Sequence, residues 1–366
     1  MAVPVDNTTG YSYQFQNFGK TSNRGIELSL NFDVINKGDF RFNIGAIYNY
    51  NRNKLDELPN ADQYLYSSYW GSSSLVPTND YMFVEGKAIG LVRGFVSEGF
   101  YTVNDFRYEN GQYILKEGIP DITKALTATY MHPFNIPNGQ TAFPGAAKFR
   151  DVNNSGTVDL DDATCLGEVM PRHTGSFQLN FNYKNFDLSS NFNWTAGGKV
   201  YNVAAMINAS GQEFDGIGAQ RTSWVADTYK VYNVNSSGDL YAVTDPNELN
   251  ALNANAKYHL PYHQSGITSS EWLEDGSYLR LQTLTLGYTL PHTVLNKIHI
   301  EKLRIYLTAT NLFTITGYSG IDPEVNATPT GQSGFYSNLR VFPTLNMDFG
   351  TYPRARTFTL GGNITF

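Results

Sequence analysis

The sequence has one cysteine, Cys165, in 366 residues, so no internal disulfide framework can hold it together. A lone cysteine of this kind reads as a small buried hydrophobe rather than a nucleophile. Charge is sparse as well. Asp, Glu, Lys and Arg make up 16% of the chain, and the net charge of −7 offers nucleic acid no basic face. No apolar run reaches the roughly 18 residues of a spanning helix, and the mean hydropathy is −0.34. Residues 1–10 (MAVPVDNTTG) have neither the basic start nor the apolar centre of a secretory signal. Gly197-Gly198-Lys199 lacks the spacing and the Ser or Thr of a phosphate-cradling loop. With no G-x-S-x-G elbow and no framed pair of carboxylates, no enzyme is expected.

Aromatic residues are plentiful, with 25 Tyr and 23 Phe against 4 Trp, and 33 Gly suit tight turns. The aromatics fall at every second position. In the last ten residues Phe358, Leu360, Ile364 and Phe366 share one parity, and Thr357, Thr359, Asn363 and Thr365 share the other. Successive side chains of a strand point to opposite faces, so this is a strand with one apolar and one polar face. The same alternation runs through Ile26–Val34, Phe40–Tyr50, Phe177–Tyr183 and Phe186–Trp194. Further strands are expected over Asp80–Glu85, Leu91–Thr102, Tyr278–Leu290 and Leu303–Ile315, with a weaker one in Gly10–Phe18. In Tyr278–Leu290 the parity slips near Gln282–Thr283, which predicts a bulge.

Connection lengths alternate. Lys37-Gly38, Gly86–Gly90, Lys184-Asn185 and 291–302 are short, whereas the connections through Trp70, Asp151, Trp224 and Gly331 are long. A soluble sandwich has no reason to sort its loops by side, but a transmembrane barrel does. The expectation is therefore all-β: an antiparallel transmembrane β-barrel contributing nine or ten strands over residues 1–366, with long outside loops at 103–173, 197–276 and 316–353.

One stretch has explicit ligand chemistry. Residues 151–162 have the spacing of a twelve-residue calcium loop, with oxygens from Asp151, Asn153, Ser155, the Thr157 carbonyl, Asp159 and Asp162, and Gly156 at the sharp turn. Calcium is hard and takes six to eight oxygens, which alternate acidic and amide positions supply. Ser at the fifth position and Asp rather than Glu at the twelfth depart from that pattern. An ion-free Asx-rich turn is the competing reading.

Other candidates read more plainly. Pro261 stands between His259 and His263 and bars the helix that would unite them on zinc. Trp70, Trp224 and Trp272 fall in expected loops, where the readings are stacking on sugars, filling the loop, or a place at the membrane interface. Arg41, Asn43, Gln178, Asn180, Arg280 and Arg304 are expected to face a lumen, and the Phe and Tyr stripes to face lipid.

A family resemblance rests on several runs in order. They are Asn23-Arg24-Gly25-Ile26-Glu27, Glu85-Gly86-Lys87-Ala88-Ile89-Gly90 with Gly94 and Gly99-Phe100, and Lys148–Asn153. Tyr278-Leu279-Arg280-Leu281 with Leu284–Tyr288 follows, then Ala309–Thr314, Gly320-Ile321-Asp322-Pro323-Glu324 and Tyr352-Pro353 with Arg356-Thr357-Phe358. The chain resembles the C-terminal part of a SusC/RagA-type TonB-dependent outer-membrane transporter. That resemblance implies a 22-stranded barrel with a plugged lumen, glycan-oligomer or peptide cargo, a SusD-like surface lipoprotein, a TonB-type energy source and a place in the cell outer membrane. The family's signal peptide, plug and first half-barrel have no counterpart in the sequence, so a fragment or truncated product is expected, incapable of active transport by itself. The rival expectation is a secreted, calcium-stabilised β-sandwich that binds carbohydrate. It would be soluble without detergent, whereas isolated barrel strands would aggregate through their lipid face.

Overall fold

The computed structural model describes residues 2–4, 8, 13–15, 19–58, 63–68, 76–127, 132–210, 226–260, 266–295, 300–325 and 345–366. Seven long strands form one antiparallel sheet. In chain order they are β1 (Lys20–Lys37), β2 (Phe40–Glu57), β3 (His173–Tyr183), β4 (Phe186–Ala196), β5 (Tyr278–Thr289), β6 (Lys302–Thr316) and β7 (Thr357–Thr365). Each pairs with the next in sequence, giving an up-and-down sheet with β1 and β7 at its edges.

The register aligns the alternation from strand to strand. Ile44, Leu179, Ser190, Leu284, Ala309 and Phe358 form one continuous row, and Phe42, Phe181, Leu188, Leu286, Leu307 and Leu360 the next. Phe42 and Phe181 stack with ring centroids 4.2 Å apart, and Phe177 and Phe192 at 4.5 Å. This face is left uncovered: Ile26 is 61% exposed, Phe358 64% and Leu360 76%. Among the described residues no second sheet stacks on it, which removes the sandwich reading. A sheet that exposes leucine, isoleucine and phenylalanine along β1, β6 and β7, with most central members of the same rows half-buried against their neighbours, is matched to a hydrocarbon solvent, not to water. The 11-residue strands β3 and β4 have the length that crosses such a layer at a tilt.

The predicted bulge is present. Gln282 is the extra residue of β5 opposite β4, and β6 in turn carries an extra residue where Asn311 adopts a φ of 51°. The two irregularities restore the parity that the sequence pattern loses there, so the apolar side chains of Leu279 and Leu281 stay in line with Leu284 and Leu286.

The strands are joined very differently at the two ends of the sheet. At one end β1–β2 and β3–β4 close through the dipeptides Gly38-Asp39 and Lys184-Asn185, and β5–β6 through 290–301. Gly38 and Lys184 take positive φ values of 58° and 51°, as tight hairpins require. These turns are stitched sideways: Lys184 N donates to the Asp39 carbonyl (3.1 Å) and Thr289 N to that of Asn185 (2.9 Å). At the other end three excursions leave the sheet, 58–172, 197–277 and 317–356.

The first excursion is larger than expected. Tyr81–Val84 and Leu91–Gly94, read from sequence as strands of the barrel, belong instead to a separate four-stranded sheet with Gln63–Tyr66 and Thr164–Glu168. The continuation Ser97–Phe100 pairs with Ala147–Phe149. The reason lies in burial: Tyr81, Met82 and Phe83 are all buried, so both faces of that short strand are packed. The Gly86–Gly90 turn accordingly sits within this excursion, beside β2, where Leu55 N donates to the Lys87 carbonyl. Of Gly10–Phe18, only Tyr13–Phe15 is described as a strand, and it pairs with Ala2–Pro4.

The excursions, not the sheet, hold the buried core. One cluster joins Phe95, Tyr101, Tyr113 and Phe143 of the first excursion to Tyr229, Leu249 and Ile267 of the second. Another joins Tyr81 and Val92 of the first, Tyr201 and Trp272 of the second and Met347 of the third. Hydrogen bonds lock them further: Phe95 N to the Thr268 carbonyl (2.9 Å), Tyr81 Oη to the Leu345 carbonyl (3.1 Å) and Asn346 Nδ2 to the Val169 carbonyl (2.6 Å). The three form one packed head at one end of the sheet.

Candidate functional site

The face of the sheet opposite the apolar rows is lined with amides and hydroxyls. Asn43 Nδ2 donates to Asn31 Oδ1 (2.7 Å) and Asp33 Oδ1 (3.0 Å), while Ser189 Oγ donates to Asn180 Oδ1 (2.8 Å). Asn193 Nδ2 donates to Gln282 Oε1 (2.7 Å), and the hydroxyls of Thr285 and Thr308 meet at 2.9 Å. Arg41, Asn43, Gln178, Asn180, Arg280 and Arg304, expected to face a lumen, all share this face by register. Such a ladder fixes strand register as well as presenting polar groups.

Two of its arginines are compensated. Near the turn end Arg304 grips Asp187 through Nε (2.9 Å) and Nη2 (2.5 Å), and Gly287 leaves room for that pair, since a Cβ there would meet Arg304 Nη2 and Asp187 Oδ1 at 2.5 Å. At the head end Arg280 is buried. It donates to Thr314 Oγ1 (3.1 Å), Glu324 Oε2 (3.2 Å) and Asp322 Oδ1 (2.5 Å), and Arg354 Nη2 holds the other oxygen of Glu324 at 2.5 Å. This network ties the third excursion to the top of β5 and β6. Both Arg280 and the run Gly320–Glu324 were visible in the sequence, but their pairing spans 42 residues and no local spacing signals it.

The acidic loop folds around its own backbone. Asp151 accepts from Ser155 N (3.1 Å) and Gly156 N (2.7 Å), and Asn153 Oδ1 from Ser155 N (2.8 Å). Asp159 accepts from Asp161 N (2.8 Å), while the Thr157 carbonyl accepts from Ser155 Oγ (2.8 Å). Asp162 is fully buried and takes three backbone donors, Val152 N (2.7 Å) and Asn153 N (3.2 Å) on Oδ1 and Asp159 N (2.9 Å) on Oδ2. With Oδ1 saturated by two donors, Asp162 fits as the anchor that closes the loop and does not fit the bidentate ligand a calcium loop places twelfth. Asp151, Asn153 and Asp159 keep lone pairs that fit an oxygen-seeking cation. Among the described residues no three His, Cys, Asp or Glu side chains converge as a cage.

Trp272 is buried in the head core, so it fills its own loop rather than offering a stacking surface. Trp70, Trp224 and His263 lie outside the described residues. His259 is buried, with Nδ1 against the Leu260 carbonyl (2.6 Å) and Nε2 3.7 Å from Glu271. Burial pushes the Glu271 carboxyl above its ordinary range, against the opposing pull of His259. Cys165, expected to be buried, is exposed.

No protein-family model matches the chain. Individual relatives match it end to end. TonB-dependent receptor P3 of Formosa agariphila is 28% identical over 363 residues, 99% of this chain and 30% of that protein. The chain is homologous to TonB-dependent receptors. TonB-dependent receptor SusC of Bacteroides thetaiotaomicron is 24% identical over 372 residues, covering all of this chain and 28% of SusC. The chain thus spans about a third of the length of the curated receptors it matches. Among solved structures the RagAB peptide transporter superposes on all of it with a TM-score of 0.62 at 20% identity, over 31% of that transporter chain. That likeness agrees with the antiparallel sheet, and it extends the comparison from sequence to the fold of the TonB-dependent transporters.

Proposed function

We propose that this chain forms wall and outer head of an outer-membrane, TonB-dependent nutrient importer. One observation carries the reading: a single sheet with an uncovered apolar face, a polar face, two-residue hairpins at one end and a packed head at the other. Such a sheet is built for a wall between lipid and a polar interior. In this reading the polar face lines the lumen, the turns lie in the periplasm and the head faces outwards. Homology to the receptors supports uptake driven by a TonB-type complex, with a SusD-like lipoprotein meeting the head and with glycan oligomers or peptides as cargo.

The test is to tag the protein in its own bacterium and fractionate the envelope. It should co-purify with the outer membrane, require detergent for extraction, and bring a surface lipoprotein with it. Deleting its gene should abolish growth on one class of oligosaccharide or peptide. Recovery from the soluble fraction without detergent would overturn the reading.

Calcium belongs to the proposal too, held by Asp151, Asn153, Asp159 and the oxygens of Ser155 and Thr157, with Asp162 as the anchor beneath. Added calcium should slow protease cleavage within 145–170, and the double change Asp151→Ala with Asp159→Ala should remove that protection. Equal cleavage of the parent with and without calcium would discard the ion.

A further inference from the structure

Strand β7 begins at Thr357, paired with Thr310, while β6 runs on to Thr316. Among the described residues no strand pairs with 311–316 of β6 on that side. The incoming segment 353–356 touches them where Asn311 Nδ2 donates to the Ala355 carbonyl (2.9 Å), and beside that contact lies a cleft of about 350 Å³, lined among others by Arg280, Phe313, Ile321, Asp322, Arg354 and Arg356. Three guanidiniums face it. Asp322 in the lining and Glu324 outside it answer Arg280 and Arg354. Three cations against two carboxylates leave one positive charge, and Arg356 is the cation without an ion pair among the described residues. The complement of this cleft is one anionic group.

Its position says where that group comes from. Phe313 (40% exposed), Ile315 (62%) and Phe358 (64%) are the last members of the uncovered apolar face before the head begins, and Tyr352 beyond them is 89% exposed. A level at which apolar rows give way to an exposed tyrosine and arginines is the level of lipid headgroups. A soluble acid would use the charge but leave Phe313 and Phe358 bare. A lipid supplies both an anion and chains to lie along them.

We propose that this notch holds the phosphate of a membrane-lipid headgroup, with Arg356 as its principal anchor and Arg354 beside it. The assignment rests on the membrane reading above. A planar guanidinium forks two phosphate oxygens, which favours arginine over lysine in that role.

The protein, purified in detergent from membranes of cells that express it, is titrated with phosphatidylglycerol in mixed micelles, and bound lipid is counted by native mass spectrometry. The parent should bind phosphatidylglycerol saturably and ignore diacylglycerol, which lacks phosphate. Arg356→Gln should weaken binding about tenfold, the loss of one charge-assisted contact. Arg356→Lys should recover part of it, and Lys124→Gln, an exposed change in the first excursion, should alter nothing. Equal binding by the parent and Arg356→Gln would overturn the proposal. Inorganic phosphate displacing the lipid at equal concentration would reassign the notch to a free anion. Vesicle flotation separates the two readings: a parent that floats yet binds no better than Arg356→Gln refutes the notch alone, whereas a parent that stays soluble refutes the membrane reading with it.

Discussion

Arg280 shows how much a single side chain can be asked to hold. It is buried, and its guanidinium serves one hydroxyl and two carboxylates from the third excursion. Removing one partner of a buried ion pair leaves the other uncompensated, at about 3–5 kcal/mol. Arg280→Ala should therefore lower the thermal midpoint of the detergent-solubilised protein more than Arg354→Ala, whose side chain is 44% exposed and whose pair is screened by water. Equal shifts would mean that Asp322 finds another partner. Glu271 offers a test by pH. Burial raises its pKa in the fold, so the folded state holds its proton while the unfolded chain has already released it. The fold is then most favoured below the ordinary glutamate range and loses stability as pH rises through the raised value. Glu271→Gln should flatten that decline: more stable than the parent at neutral pH, indistinguishable from it in acid, as a series of melting curves would show.

At the scale of elements, alternation made the seven sheet strands legible, and it did so because each has one apolar and one polar face. It failed for 80–85 and 91–102 because a short strand packed on both faces looks, residue by residue, like one more apolar run. Length was the missing discriminator: 4 residues in Tyr81–Val84 and in Leu91–Gly94 against 9 in the shortest strand of the main sheet. The face assignment of the arginines followed from parity alone. Their carboxylate partners did not, since Asp322 and Glu324 arrive from a connection that no periodicity describes. The contact between excursions was equally hidden. Gly94 lies so close to the second excursion that a Cβ would meet the Thr268 carbonyl oxygen at 2.3 Å. Backbone cannot step aside as a side chain tip can, so Gly94→Ala should destabilise the head by about 1–3 kcal/mol. Hydrogen exchange should show Phe95 N losing protection while the β3–β4 amides keep theirs. Unchanged protection at Phe95 would mean that the two excursions are free to separate slightly.

For the whole molecule the two faces of the sheet make opposite demands on the same chemistry. Leu360 and Thr359 are neighbours on β7, but Leu360 is on the uncovered apolar side and Thr359 on the polar side. An arginine facing lipid costs about 2–4 kcal/mol near the middle of the layer and little where it faces a wet interior. Leu360→Arg should thus block assembly into the outer membrane, while Thr359→Arg is tolerated, as fractionation of the two variants would reveal. Equal yields in the membrane fraction would mean that this face does not meet lipid.

The order in which the chain is made has a consequence for the head. Tyr81 finds its hydroxyl acceptor at Leu345, 264 residues later, and Val169 receives Asn346 across 177. Hairpins such as β1–β2 can form as soon as they emerge, because their partners are adjacent in sequence, but contacts of such separation form late. During synthesis the early hairpins must therefore wait with their leucine and phenylalanine rows bare and the head half built. A chain with this arrangement is most exposed to aggregation in the interval before the third excursion arrives, and the outer-membrane placement proposed above would require an escort through that interval.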